Sequence, residues 1–301
     1  MSYYKILGLE KEPFSTSPDP GFFYDSAQHK AALFRLGTAI ELRRGLSVVL
    51  GDVGTGKTTL SRKLSQLLSA DPAIISTVNL NPIYENEVQF LEELVARFSI
   101  KIKNTGAMKA LDYMKAIEKF LFEKCVQENK TVVLLIDESQ KLTEACLEIL
   151  RSLLNYETNE YKTLQLVLLG QMELLPRLGR IANLWDRVAF KYIIDPLDEN
   201  AVRELIDFRL AQAGCHGGRP LFSAPAIKAV FDYSHGYPRK ITMICHDALE
   251  YLVMHNKSVV EAQDIRALCE KEVRPVFDVW EAGNWKREAG SWKLEAGSGK
   301  I

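Results

Sequence analysis

No apolar run in the sequence approaches the ~18 residues that a membrane-crossing helix requires. Residues Met1–Glu12 lack the extended apolar stretch of a secretory signal. The chain is therefore expected in the cytoplasm, at most peripheral to a membrane. Cysteine pairs are missing too. Cys125, Cys146, Cys215, Cys245 and Cys269 lie far apart with no C-x-x-C spacing, which suits reduced buried thiols better than a disulfide frame or a zinc site. His29, His216, His235, His246 and His255 show no metal-ligand spacing, and none is expected to be catalytic. Neither sign of charge dominates: 38 Lys and Arg stand against 39 Asp and Glu, a net charge of −1. This excludes a globally basic nucleic-acid binder while leaving room for a local basic stripe. What is present is a 301-residue chain, 47% hydrophobic and 26% charged, long enough for one large domain or two smaller ones with an ample core.

The most specific pattern is Gly51-Asp52-Val53-Gly54-Thr55-Gly56-Lys57-Thr58, preceded by the apolar run Leu46–Leu50 and followed by Thr59. This is the phosphate-binding loop G-x-x-x-x-G-K-[ST] in the context it needs, a buried strand turning into a helix. Glycines let the backbone curl until successive N–H groups point inward at a polyphosphate. Lys57 would reach the β- and γ-phosphates and the Thr58 hydroxyl would ligate Mg²⁺. A helix over Thr58–Leu68 would aim its positive end at the same anion. Gly51 to Thr59 is thus the expected site for a nucleoside triphosphate.

Around this loop, strands and helices alternate. Ser26 reads as an N-cap for a helix over Ala27–Arg44. Strands are predicted at Ile74–Asn79, Thr131–Ile136, Leu164–Leu169 and Phe190–Ile194. Helices are predicted at Glu87–Phe98, Leu111–Gln127 and Thr143–Asn155. The continuous apolar run Thr131–Ile136 is typical of a parallel strand covered on both faces. Alternation of this kind implies right-handed crossovers and a parallel α/β sheet. After Asp195-Pro196-Leu197 the strand signals stop, and helices are predicted at Glu199–Ala213, Ala224–Tyr233, Pro238–His255 and Ala262–Lys271. The expected organisation is an aromatic and proline-rich segment with the first helix at 1–45, belonging to the nucleotide-binding domain. Its core follows at 46–197, then a helical lid at 198–272 and a tail at 273–301. The segment Tyr3–Tyr24 should contain no regular helix, and its aromatics should pack on the body of that first domain, beside a nucleotide base.

The tail repeats a seven-residue unit: Glu281-Ala282-Gly283-Asn284-Trp285-Lys286-Arg287 recurs from Glu288 and again from Glu295. Glycine in every unit argues against a coiled coil. Tandem copies of the heptanucleotide AAGCTGG translate to Lys-Leu-Glu-Ala-Gly-Ser-Trp, so the tail is expected to be translated repeat DNA without regular structure.

A second constellation follows the strand at Val132–Ile136. Asp137 stands where a parallel sheet gathers its ligands and could hold Mg²⁺, directly or through water. Glu138 could orient and deprotonate an attacking water. Gln171 ends the next apolar strand, either to contact the γ-phosphate or the water or simply to close the strand. Arg177, Arg180 and Arg187 follow. Arg187 is the preferred candidate for an arginine supplied to a neighbouring subunit's γ-phosphate, against a surface or salt-bridge role. Arg239, in Gly236-Tyr237-Pro238-Arg239, would project from a helix start that Pro238 favours and reach the phosphates; the alternative is an exposed arginine.

With these residues assembled, the chain resembles the AAA+ ATPases, and among them the ExeA/GspA type of the general secretion pathway. The matching pieces are Pro13-Phe14 with Pro18-Asp19-Pro20 and Phe22-Phe23-Tyr24, Gly51–Thr58, and Leu135-Ile136-Asp137-Glu138-Ser139-Gln140-Lys141-Leu142. They continue through Leu153–Thr158, Leu164–Gln171 and Gly236–Arg239. The resemblance implies the sheet order 5-1-4-3-2, ATP and Mg²⁺ as ligands, and a homo-oligomeric ring or partial ring with ATP between subunits. It implies sensor 1 at Gln171, the arginine finger at Arg187 and sensor 2 at Arg239. It also implies ATP hydrolysis in the service of secretion or envelope assembly, with a protein partner and a cytoplasmic location or one peripheral to the inner membrane. Secretion members continue into a membrane span and a peptidoglycan-binding periplasmic domain, neither of which occurs in these residues. Related stand-alone ATPases regulate transposases, which would make a transposase and duplex DNA the alternative partners.

Overall fold

The computed structural model describes residues 2–15, 20–102, 108–181, 183–215, 220–270, 285–288 and 291–294. Their contacts divide the chain into two units, one within Ser17–Pro196 and one formed by Met1–Thr16 with Leu197–Ile301.

In the first unit the apolar runs become the parallel strands β1 (Leu46–Gly51), β2 (Ile74–Asn79), β3 (Thr131–Ile136), β4 (Leu164–Gly170) and β5 (Val188–Ile194), in the order β2-β3-β4-β1-β5. This is the order that the resemblance implies. Parallel register runs through the central pairs, with Leu50 opposite Gly170 and Ile136 opposite Leu168. Because side chains alternate along a strand, each central strand feeds two cores. Leu46, Val48, Leu50, Leu134, Ile136, Leu166 and Leu168 face one layer. That layer is α4 (Glu87–Arg97), α5 (Ala110–Phe122), α6 (Glu144–Leu153) and α7 (Leu174–Arg180). Val49, Val133, Leu135, Val167 and Leu169 face α2 (Ala27–Glu41) and α3 (Lys57–Ser69) on the opposite side. A side chain such as Leu134, fully buried, contributes about 2 kcal/mol by its removal from water. The preceding short helix is α1 (Tyr3–Ile6), in the other unit.

One expected element is divided. The helix predicted over Leu111–Gln127 stops at Phe122 and continues as a π-helical turn, Glu123–Gln127. The Glu128 N–H reaches back to the Glu123 carbonyl at 3.0 Å. This turn places Cys125 inside the core, where its Sγ donates to the Thr163 carbonyl at 3.1 Å.

The second unit is helical: α8 (Glu199–Gln212), α9 (Ala224–Ser234), α10 (Pro238–Met254) and a further helical run over 262–270. Its membership corrects the placement of the N-terminal segment. Residues up to Thr16 lie with these helices and not with the sheet. The cause is backbone and aromatic pairing. The Ala213 carbonyl, left without a helical donor at the end of α8, accepts from the Glu10 N–H at 2.8 Å. Phe14, 1% exposed, meets Phe222 edge-on at 6.1 Å. Arg209 Nη1 donates to the Pro13 carbonyl at 3.3 Å. The four-residue α1 also departs from the expectation of no helix in this segment.

The tail expectation is corrected over eight residues. Trp285–Glu288 (β6) and Ser291–Leu294 (β7) pair antiparallel, Trp285 opposite Leu294 and Arg287 opposite Trp292. A lone two-stranded pair is marginal in water. The remaining tail residues lie outside the described ones.

Candidate functional site

Strand order builds the site. β4 lies between β1 and β3, so the loop after β1, the carboxylates after β3 and Gln171 after β4 share one C-terminal edge of the sheet. The crossover after β1 packs on one face and those after β3 and β4 on the other, which opens the sheet edge between β1 and β4 to a ligand.

The loop itself is closely fitted. A Cβ at Gly51 would fall 2.8 Å from the Ile194 carbonyl oxygen and 2.9 Å from Thr55 Oγ1. Gly56 has φ +100°, a left-handed conformation open to glycine, and precedes the first turn of α3. Thr55 Oγ1 donates to the Asp52 carbonyl at 2.9 Å. Lys57, 5% exposed, donates from Nζ to the Gly51 and Asp52 carbonyls at 2.8 Å each. Burial lowers its pKa, against the opposing charges of Glu138, Asp137 and Asp52. Val53 is exposed at the loop's tip.

Asp137, 1% exposed, is pushed up from the usual carboxylate range by burial. The Thr58 hydroxyl and the Glu138 N–H donate to it and oppose that shift. Thr58 and Asp137 therefore meet, and a buried carboxylate whose charge is disfavoured beside a hydroxyl is an oxygen set suited to a hard divalent cation. Glu138 adopts φ +51° and its Oε2 accepts from Gln140 Nε2 at 2.8 Å. Lys141 Nζ stands 3.7 Å from the same oxygen. The Gln171 backbone N–H donates to Gln140 Oε1 at 3.1 Å.

The structure thus brings together Gly51–Thr58, Asp137, Glu138 and the backbone of Gln171. The arginines are used otherwise. Arg177 donates to the Gln140 and Leu142 carbonyls, tying α7 to the turn after Glu138. Arg187 donates to Asn155 Oδ1 and to the Arg151 carbonyl, at 3.4 Å in the second case. Arg180 is exposed. Arg239 is the exposed second residue of α10 in the helical unit.

Two residues escaped the sequence reading. Gln140 had no signal beyond its place in a matching string. His29 had one, since Ser26-x-x-His29 opens α2 at its cap. The ring is 3% exposed and Nδ1 lies 2.7 Å from Ser26 Oγ. A Cβ at Gly56 would fall 2.8 Å from Nε2. Burial holds the His29 pKa below its ordinary 6.5, with the Thr55 backbone and Asp25 opposing. Below pH 6.5 the unfolded chain therefore takes up a proton that the folded one resists, and stability falls as pH drops through that value toward the folded one. The slope reaches at most about 1.4 kcal/mol per pH unit. Thermal midpoints across this range should fall less steeply with acidification in His29→Leu than in the wild type. Equal slopes would show that His29 is not the group responsible.

The AAA domain family matches residues 40–178. General secretion pathway protein A of Aeromonas hydrophila is 34% identical over 285 residues, covering 93% of this chain and 50% of that protein. The chain spans about half the length of that relative. Among solved structures, Cdc6p from Pyrobaculum aerophilum superposes with a TM-score of 0.65 at 17% identity, over 87% of this chain and 70% of the other. Drosophila ORC bound to DNA gives 0.61 at 18%, over 92% and 70%. At such identities the two structures speak for the fold alone: a parallel sheet flanked by helices and followed by a helical region. With the sequence relative and the domain match, the chain resembles the AAA ATPases of the general secretion pathway protein A type.

Proposed function

We propose that the protein binds ATP with Mg²⁺ at Gly51–Thr59 and hydrolyses it to ADP and phosphate, working as an oligomeric switch, a ring or partial ring. The observation that carries this reading is the meeting of the Lys57 loop, the Thr58–Asp137 pair and Glu138 at one sheet edge.

In this mechanism the backbone N–H groups of the loop and the start of α3 bind the phosphates. Lys57 gives up its loop carbonyls for the β- and γ-phosphate oxygens. Thr58 and Asp137 would hold Mg²⁺, which would supply charge neutralisation for the phosphates. Glu138 accepts a proton from the water that attacks in line, and Gln171 senses the γ-phosphate from the end of β4. Arg187, just before β5, serves a neighbouring subunit's nucleotide and leaves Asn155 to do so. Arg239 reads the nucleotide from the helical unit.

The relative's name assigns that protein to the general secretion pathway. We place this chain in the same class of work, in the cytoplasm or at the inner-membrane periphery, acting on a protein partner of secretion or envelope assembly. Among the described residues no helix is long and apolar enough to cross a membrane. Phosphate release from Mg-ATP, measured together with particle mass in ATP and in ADP, tests the reading. The expected result is turnover, with a larger particle in ATP than in ADP. No turnover would overturn the activity, and one mass in both nucleotides would overturn the switch. Strong stimulation by duplex DNA, lost steeply with salt, would displace the secretion role.

A further inference from the structure

Gln140 sits in the short turn Ser139–Lys141 between β3 and α6, and both ends of its amide are engaged. Nε2 donates to Glu138 Oε2 at 2.8 Å, while Oε1 accepts the Gln171 N–H at 3.1 Å. The turn is anchored from its other side by Arg177, which donates to the Gln140 and Leu142 carbonyls. The end of β4 leaves room for the amide: a Cβ at Gly170 would fall 2.9 Å from Leu174 Cδ2 and 3.3 Å from Gln140 Oε1.

The geometry points to Gln140 as a positioning residue for hydrolysis, an amide clamp that fixes the Glu138 carboxylate against the end of β4. The assignment rests on the hydrolytic reading above. An unrestrained glutamate side chain has rotamer freedom to lose on being fixed. One hydrogen bond to a charged acceptor is strong enough to offset that. Backbone and side chain are held separately. Asp137 Oδ1 accepts the Glu138 N–H at 2.9 Å, and Gln140 sets the carboxylate plane through Oε2. Oε1 is then the oxygen presented to water. The same amide ties the base to Gln171, so a displacement of the β4 end by the γ-phosphate is carried to Glu138.

One substitution separates positioning from mere packing. Gln140→Leu removes both hydrogen bonds at similar size. It should lower kcat by ~10-fold or more, as a misplaced catalytic group does, with KM for ATP changed less than twofold. The variant is to be compared with wild type and Glu138→Gln for phosphate release and for ATP affinity. If wild type turns over and Glu138→Gln does not, an unaltered kcat in Gln140→Leu overturns the clamp. So does a loss explained entirely by weaker ATP binding. If wild type itself does not release phosphate, the proposed activity fails and the clamp with it.

Discussion

Replacing Lys57 with alanine is expected to weaken Mg-ATP binding by about 100-fold or more, which corresponds to roughly 3 kcal/mol. The magnitude follows from charge-assisted hydrogen bonds to phosphate, each worth about 1.5–3 kcal/mol. Lys57 is buried and its ammonium already sits at the mouth of the loop on the Gly51 and Asp52 carbonyls. Only a short movement separates these acceptors from a phosphate in the same cradle. Burial works against the charged form of Lys57, so the fold does not depend on that charge for its stability. The thermal midpoint without nucleotide should stay within a few degrees of wild type. The rise in midpoint with ATP, which follows the logarithm of ligand concentration over Kd, should vanish in the variant. Calorimetric titration gives Kd directly. A wild-type response to ATP in Lys57→Ala would show that the nucleotide binds elsewhere.

Glu138→Gln is expected to separate binding from chemistry. Turnover should fall by ~10²–10³, the range for loss of a general base, while ATP affinity stays within a few-fold. Glutamine preserves the shape and can still meet Gln140 with its carbonyl oxygen, but it cannot take the proton from water. The protein would then remain in its ATP-bound form. Single-turnover assays should find intact ATP still on the protein after wild type has released phosphate. The ATP-dependent particle should likewise persist. Normal turnover in this variant would remove Glu138 from its assigned role and leave the loop untouched.

Much of the site was legible because its signals are local. Glycine spacing before a lysine, an apolar strand ending in Asp137-Glu138 and a polar Gln171 after another apolar strand are each contained in a few consecutive residues. Period-two burial, with Leu134 and Ile136 on one face of β3 and Val133 and Leu135 on the other, requires no more than strand geometry. The N-terminal segment was misplaced for the opposite reason. Phe14 announces that it must be buried, but nothing near it in sequence says that Phe222 is the surface that buries it.

By itself, then, the sequence determined which elements form and where a triphosphate would be held, because helix, strand and phosphate loop depend on short-range spacing and backbone freedom. The tertiary structure alone decided the partners. It set Gln140 between Glu138 and a Gln171 N–H that lies 31 residues away. It put His29 beneath Gly56, and turned Arg177 from a free cation into a tie between α7 and the turn after β3. The Gln140 and Arg177 pairings follow from the placement of β4 beside β3. Strand order is a property of the packed whole, and hydrophobic periodicity does not encode it.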